Sequence, residues 1–444
     1  PPRSTLSSSS AASDVYKRQH GQKMSKSLGN GVDPRDIIFS HGADAMRFTL
    51  VQMTTDTQDV RMPVEMVCPH SGVSFEPEFV RTQAGHLVAA PIQVSPQDDS
   101  KQMVSAYGAA SGVAEPDKQT PLARNTSSKF DLGRNFANKL WNATRFALNR
   151  IDEGLVKDID LANRPFIDKW IFARLDETVQ KLEESMDKYQ FNIFADTLYD
   201  FVWHDVCDRY LEAVKPSIDS DPEQQMVLAN LLNAVLRIMH PVCPFVTEAL
   251  WPHVRQATSS TVGGVELPDK EILATASWPK IEITQSLSAS LIGDFNSADQ
   301  LVSLVRSTRA EQKVKPKQTI ELYAPDPVLD LLDRVNGYVQ ILAGIGEVKP
   351  LLEAPSGDST VITFEGTEIK ISGLISDIDV IALKIRLEKL IVDKEKQING
   401  FKGRLSNEGY LTNAKPEIIE ETRNLLALAE ADLEAAQSSL ANLD

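Results

Sequence analysis

The chain has 444 residues, a formal net charge of -16 and 42% hydrophobic residues, enough to build several domains, each with its own core. No apolar run approaches the roughly 18 residues that a membrane-spanning helix needs, and Cys68, Cys207 and Cys243 have no close pairing, which excludes a disulfide framework and suits a reducing, cytoplasmic setting. The acidic balance speaks against a uniformly nucleic-acid-binding surface and leaves that question to local basic stripes.

Residues 1–19, PPRSTLSSSSAASDVYKRQ, are Ser-rich, show no helical or strand period and lack the apolar core of a secretory signal. They are expected to be a disordered or non-native leader. Next comes KMSKSLGN, Lys23–Asn30, which holds Lys23, Ser25, Lys26 and Ser27 just before Gly29. Two mobile ammonium groups with neighbouring hydroxyls suit a polyphosphate, where such charge is most useful against a departing pyrophosphate. Asp33-Pro34 then supplies a cap and a first-turn proline, so a helix is expected to start there, followed by helical spacing in GADAMRFTLVQM. Residues 63–128 are rich in Pro, Ser, Gly and Gln and are expected to form a loop-rich insertion. Cys68 and His70 stand two apart in it, and one Cys with one His cannot complete a zinc site.

Residues 129–256 carry five helical patterns, over 131–152, 165–188, 191–215, 221–240 and 243–256, with Pro, Asp and Asn at the joints. Long amphipathic helices with short joints favour an antiparallel bundle, assigned to 129–296. In the first of them Phe136, Leu140, Ala143 and Ala147 form an apolar stripe. Arg134, Asn138, Asn142, Arg145 and Asn149 form a stripe of cations and amides, with Lys139, Trp141 and Phe146 close by. Cations for phosphate, amides for base edges and rings for stacking suit RNA. Farther along, His204 and Cys207 find no further ligands, and Phe201, Trp203, Val206 and Tyr210 read as core.

Residues 297–380 suggest a small α/β module: a helix over 297–312, a strand at TIELYA, a helix over 327–344, then strands at GEVKPLL, TVITFEG and TEIKIS. In 381–444 two heptad seams follow. The first is Leu383, Leu387, Leu390, Lys394, Ile398, Phe401 and Leu405; the second is Ile419, Thr422, Leu426, Ala429, Leu433, Ala436, Leu440 and Leu443. Two seams joined by a turn predict an antiparallel coiled-coil hairpin, its arms roughly 40 Å long at about 1.5 Å per residue. Its first arm is basic and its second acidic, so one side could face RNA.

KMSKSLGN, followed by GVDPRDII and GADAMRFTL, resembles the active-site loop of class I aminoacyl-tRNA synthetases. GNGVDP, TQDVRM, GRNFANKLWNATRF, LYDFVWHDVCDRYLEAVKP, RIMHPVCPFVTEALWP and RLSNEGYLTNAKPE look like the valyl branch of that family, over about residues 20–444 apart from the insertion. The fold implied is mainly α: the end of a class I nucleotide-binding fold (20–62), then the anticodon-binding bundle, the α/β module and the coiled-coil arm. By the same resemblance Lys26, supported by Lys23, would contact the phosphates of ATP, which arrives with Mg2+, and Ser25 and Ser27 would shape the loop. Arg134, Asn138, Lys139, Trp141, Asn142 and Arg145 in the bundle, with Lys384, Arg386, Lys389, Lys402 and Arg404 on the arm, would face tRNA(Val). The family activates valine to valyl-adenylate and passes it to the terminal ribose of the tRNA. A monomer is expected.

The family also carries an HIGH-like motif, a valine pocket and an editing domain, all preceding this loop. None is found here, and HGADAM is only a superficial echo on the wrong side of the loop. The 444 residues are therefore expected to be the C-terminal portion of such an enzyme, inactive alone. The alternatives are a free-standing, non-catalytic tRNA-binding protein derived from the family, and a coiled-coil assembly protein. The last accounts for the end of the chain but not for KMSKSLGN.

Overall fold

The structure is a computed structural model that describes residues 16–18, 24–55, 60–151, 158–258, 261–262, 265, 267–268, 270–281, 285–315, 318–355, 359–374, 380–407 and 416–441. The chain divides into two compact units, residues 1–164 with 168–288, and residues 165–167 with 289–444. No described helix is long and apolar enough to cross a membrane.

The first unit starts with strand β1 (Tyr16–Arg18), paired in parallel with β2 (Val60–Met62). Regular structure thus begins inside the stretch expected to be a leader, because β2 offers Tyr16–Arg18 a ladder partner that no local pattern announces. The rest of that leader, 1–15 and 19, lies outside the described residues. Helices α1 (Pro34–His41) and α2 (Ala43–Met53) follow. The Asp33 carboxylate caps α1 by accepting from Arg35 N at 2.8 Å, and Pro34 fills the first turn, as the sequence pattern requires.

Residues 63–128 depart from the expected loop-rich insertion. They form seven short strands: β3 (Glu65–Val67), β4 (Ser74–Phe75), β5 (Phe79–Arg81), β6 (Leu87–Ala89), β7 (Ile92–Ser95), β8 (Asp98–Val104) and β9 (Arg124–Thr126). One short helix, α3 (Ala106–Ser111), interrupts them. β3 lies between β4 and β9, and β5–β6 and β7–β8 are antiparallel pairs. Met66, Cys68, Met103 and Ala123 make a small dry core. Strands this short carry too few residues for alternation to stand out, and the Pro and Gly that suggested loops are the turns between them. Among the described residues no group of three or more His, Cys, Asp or Glu could hold a metal ion.

The helices expected for the bundle form close to their predicted places. They are α4 (Lys129–Leu148), α5 (Phe166–Asp187), α6 (Phe191–Tyr199), a π-helical segment (Asp200–Tyr210) running into α7 (Leu211–Val214), α8 (Pro222–Met239) and α9 (Pro244–Ala257). Every residue of α8 from Gln224 to Met239 is buried, so it is the central helix, and its polar residues need partners. The Asn230 amide donates to Met226 O, that of Gln225 to Ile218 O, and the Arg237 guanidinium to Ser277 O. Asp168 is fully buried. It accepts from Arg164 Nε at 3.0 Å, Tyr210 Oη at 2.9 Å and Gln224 Nε2 at 3.2 Å. Burial raises the Asp168 pKa, and the Arg164 charge opposes that rise.

Packing joins α2 to the bundle. The apolar stripe of α4, Phe136, Leu140, Ala143 and Ala147, is buried as expected, with the Phe136 ring 4.8 Å from that of Phe48. Gly133 lets the backbones meet, since a Cβ there would stand 2.5 Å from Ala45 O. The Asp44 carboxylate accepts from Phe245 N at 3.1 Å and Val246 N at 2.6 Å, at the start of α9.

The second unit contains a four-stranded sheet ordered β11-β10-β13-β12, made of β10 (Ile320–Ala324), β11 (Ile345–Pro350), β12 (Ser359–Phe364) and β13 (Thr367–Ser372). β10 and β11 are parallel and the other pairs antiparallel; the β12–β13 hairpin turns through Glu365 and Gly366, both with positive φ. Helix α10 (Gln285–Glu311) begins well before the expected 297, and the break between units falls within it, after Ser288. The single helix expected over 327–344 is two, α11 (Asp326–Arg334) and α12 (Tyr338–Ala343), because Asn336 and Gly337 take the left-handed conformation that ends a helix.

The last two helices, α13 (Val380–Leu405) and α14 (Pro416–Ala441), pack along each other. Ile398, Thr422, Ala429 and Ala436 of the two seams are buried between them and Ile418, Leu425 and Leu428, off the seams, are exposed, but seam residue Leu390 is exposed too, against expectation. Seam position Lys394 is half-buried and pairs with Asp432 at 2.7 Å, and Lys402 pairs with Glu430 at 2.7 Å.

Two expected outcomes follow from the α2–bundle joint. Gly133→Ala should destabilise the first unit by about 1–3 kcal/mol, the usual cost of overpacking a close backbone approach, measured by denaturant unfolding. Burial lowers the pKa of His41, with the Arg134 charge adding to it and Asp131 opposing; burial likewise lowers that of His240, against Glu248 and Asp44. A histidine held below its unfolded value of about 6.5 contributes stability fully above that pH and loses it as pH falls below. The unfolding midpoint should therefore drop between pH 7.5 and 5.5, and His41→Gln with His240→Gln should flatten that slope.

Candidate phosphate loop and nucleic-acid interface

Ser25 to Gly31 form a turn closed on itself. Ser25 N donates to Asn30 Oδ1 at 2.7 Å, Gly29 N donates to Lys26 O at 3.1 Å, and the Ser25 and Ser27 hydroxyls are 2.7 Å apart. Gly29 has φ +54°, in the left-handed region, and a Cβ on it would overlap the backbone of Ala106 and Tyr107. Asn30 is buried, while the Lys26 and Ser27 side chains are exposed. Lys26 makes no ion pair among the described residues; the pKa of Asp33 is lowered chiefly by its hydrogen bonds with Arg35, the Lys26 charge adding least. Lys23 lies outside the described residues.

On α4 the predicted polar stripe faces outward, with Asn138, Trp141, Asn142, Arg145 and Asn149 exposed. Trp141 is 45% exposed, enough ring for stacking. Arg145 makes no ion pair among the described residues, whereas Arg134 is tied to Asp131 at 2.7 Å. Lys139 differs most from expectation. It pairs with Asp208 and sits 4.1 Å from the centre of the Trp203 ring. Its charge is engaged from two sides, so it is a weaker candidate for phosphate than the sequence pattern suggested.

The same contact corrects Trp203, which is half-buried rather than core. It stacks on Tyr199 at 5.2 Å and 15°. The spacing of these two rings, four residues apart on a helix, was the available signal for a shared face. Beside this plate a groove of about 480 Å³ is lined by Asn135, Asn138, Lys139, Asn142, Phe146 and Lys215. The Arg150 guanidinium lies 3.8 Å over the Phe146 ring and also reaches Asp219 at 3.2 Å. Cys207 closes the floor of the groove; burial pushes its thiol up to about 12, which makes it a packing residue at neutral pH. The His204 ring is spent on Asp208 at 3.2 Å.

On the terminal helix pair, Lys389, Lys402 and Arg404 are exposed, with Lys402 partly neutralised by Glu430. The side chains of Lys384 and Arg386 lie outside the described residues. The structure thus groups the α4 residues on one face; Lys26 belongs with them to the first unit, and the terminal cations belong to the second. Three family models match: the anticodon-binding domain of tRNA ligase over residues 168–324, tRNA synthetases class I (I, L, M and V) over 12–63, and the valyl tRNA synthetase tRNA binding arm over 379–444. Valine--tRNA ligase of Rhodopirellula baltica is 34% identical over 433 residues, 95% of this chain and 40% of that protein. Along nearly all of its length the chain is thus similar to part of a curated valine--tRNA ligase, and its last segment matches the valyl tRNA synthetase tRNA binding arm.

Valine--tRNA ligase of Thermotoga maritima is 29% identical over 97% of this chain and 41% of its own length, and that of Bacillus subtilis 27% over 97% and 41%. The chain therefore spans about two fifths of the length of these curated relatives. A solved ternary complex of LeuRS, tRNA and LeuAMS from Agrobacterium radiobacter K84 covers 62% of this chain and 24% of that one, at 17% identity and TM-score 0.35. The class I match starts at residue 12, inside the stretch expected to be a leader, in keeping with β1.

Read as an RNA-binding surface, the α4 face yields a paired expectation. Arg145→Ala should weaken RNA binding about evenly across sequences and lower the salt slope by roughly one counter-ion, in filter binding at several salt concentrations. Lys139→Ala should change that slope less, and lower stability instead, because its partners are Asp208 and Trp203.

Proposed function

We propose that the chain is the C-terminal, tRNA-binding part of a valine--tRNA ligase. The observation that carries this is the joining in one chain of a phosphate-type loop, an anticodon-binding bundle with an outward amide, cation and ring face, and the family's tRNA-binding arm. In this proposal Lys26, with Lys23, meets the triphosphate of ATP, where a mobile ammonium offsets the charge gathering on the departing pyrophosphate. Ser25 and Ser27 keep the turn in shape through their mutual hydrogen bond. Lys26, exposed and without an ion pair among the described residues, fits that role. Magnesium would travel with the ATP phosphates, since no described cluster offers three ligands of its own.

The α4 face would meet the anticodon stem and loop of tRNA(Val). Trp141 would offer a ring to a base, Asn138 and Asn142 would offer amides to base edges, and Arg145 would hold phosphate. Arg134 and Lys139 would contribute less, being paired within the protein. The α13–α14 pair is read as an antiparallel coiled-coil hairpin that touches the outer corner of the tRNA, through Lys389, Lys402 and Arg404 together with Lys384 and Arg386. A monomer in the cytoplasm is the expected state. The domain limits proposed are 1–19, 20–62, 63–128, 129–296, 297–380 and 381–444; the pairing of β1 with β2 supports an earlier start for the nucleotide-binding segment.

The same 444 residues hold no HIGH-like motif and no segment assignable to a valine pocket or an editing domain. Taken alone, they are proposed to bind tRNA without activating valine; activation requires the nucleotide-binding half that carries those parts. Two measurements check this. Filter binding should show tRNA affinity that falls steeply with salt, and an absence of affinity would leave only the coiled-coil assembly role. Valine-dependent ATP–pyrophosphate exchange should stay at background, and clear exchange would overturn the proposed division of labour.

A further inference from the structure

The segment 63–128 has no role in the function proposed above, yet it touches the phosphate loop from two sides. On one side is Asn125 of β9, 7% exposed. Its side-chain amide donates to Gly29 O at 2.9 Å and to Gly31 O at 2.7 Å, using both N–H groups on the two carbonyls that flank Asn30. On the other side is α3, whose first residues, Ala106 and Tyr107, lie so close to Gly29 that no side chain fits between them. α3 is itself anchored: the Ser105 hydroxyl accepts from Gly108 N at 3.0 Å, and Gly108 lies against Pro91 with no space for a Cβ. Arg124, next to Asn125, reaches Asp36 of α1 at 3.5 Å, just beyond the loop.

The loop residues so held are Gly29, Asn30 and Gly31. Asn30 in turn accepts from Ser25 N, which closes the turn, so holding its base holds all of it. The residues left outward are Lys26 and Ser27. The grip is neutral, amide to carbonyl, and adds no charge that would compete with an ammonium for phosphate. We propose that residues 63–128 are the mount of the phosphate loop, with Asn125 as its positioning residue. The loop then moves together with this segment, and displacing the segment displaces Lys26. The inference rests on the proposed function only for what the loop contacts.

Hydrogen exchange read by mass spectrometry on the full chain tests it. Asn125→Ala should raise exchange of the amides from Leu28 to Val32 on the order of tenfold, the worth of losing two such bonds. Exchange in α8 should stay unchanged. Asn125→Asp keeps the size and shape but lacks the donors, so it should match Asn125→Ala, which a packing role alone would not produce. Unchanged exchange at Leu28–Val32 in both variants overturns the proposal. Should Asn125→Ala loosen the whole first unit, Gly29→Ala decides: faster exchange at both Gly29–Gly31 and Ala106–Ser111 supports the mount, and unchanged exchange at Ala106–Ser111 overturns it. Addition of Mg2+ and ATP is read separately. Absent protection at Ser25–Ser27, together with an Asn125 effect, refutes the phosphate assignment and supports the mount.

Discussion

Asp44 ends its side chain on the first turn of α9, accepting from Phe245 N and Val246 N. It is 6% exposed, so its charge has little water to lean on. The exposed amide nitrogens and the positive end of the helix replace that water. Arg47, one turn on, donates to the carbonyls of Pro241 and Val242, the residues that lead into the same helix. The pair therefore ties α2 to the entry of α9 through backbone groups at both ends of one turn. Close approach of α2 and α4 at Gly133 completes the joint.

The acidic net charge and the proposed affinity for a polyanion are reconciled by where the charges are spent. Inside the bundle, Arg164 gathers Asp168, Asp221 and Glu223, and Arg174 and Arg209 share Asp205. These cations are engaged with carboxylates, of which Asp168 and Asp205 are buried, and are not free for a ligand. On α4 the reverse holds: after Asp131 the helix has no acidic residue, and Arg145 is left outward. Local composition on one face outweighs the average over the chain.

Much of the helical organisation was legible because it rests on periodicity and punctuation. The apolar stripe of α4, the Asp33-Pro34 start, the Pro222 and Pro244 starts and the seam residues Ile398, Ala429 and Ala436 all follow from spacing. Three things were not legible, each because its cause is nonlocal. Tyr16–Arg18 needs β2, more than forty residues away in sequence, to become a strand. The strands of 63–128 are too short to show alternation. Lys139 looks like any cation on a polar stripe until Trp203 and Asp208 arrive from another helix. Asn125 was the hardest to foresee, since a lone amide between Arg124 and Thr126 says nothing of two loop carbonyls nearly a hundred residues earlier.

The pairing of Lys394 with Asp432 and Lys402 with Glu430 has a consequence for how the terminal arm would compete for anions. Free cations on a surface hold a cloud of dissolved anions, and a polyanion that displaces the cloud gains entropy from its release. Here part of that cloud is built in, as carboxylates attached to the neighbouring helix. Displacing a tethered carboxylate releases nothing to solution. The arm's basic residues therefore overstate its pull on indiscriminate polyanions, and a ligand engages it fully only by matching the few cations left outside these pairs.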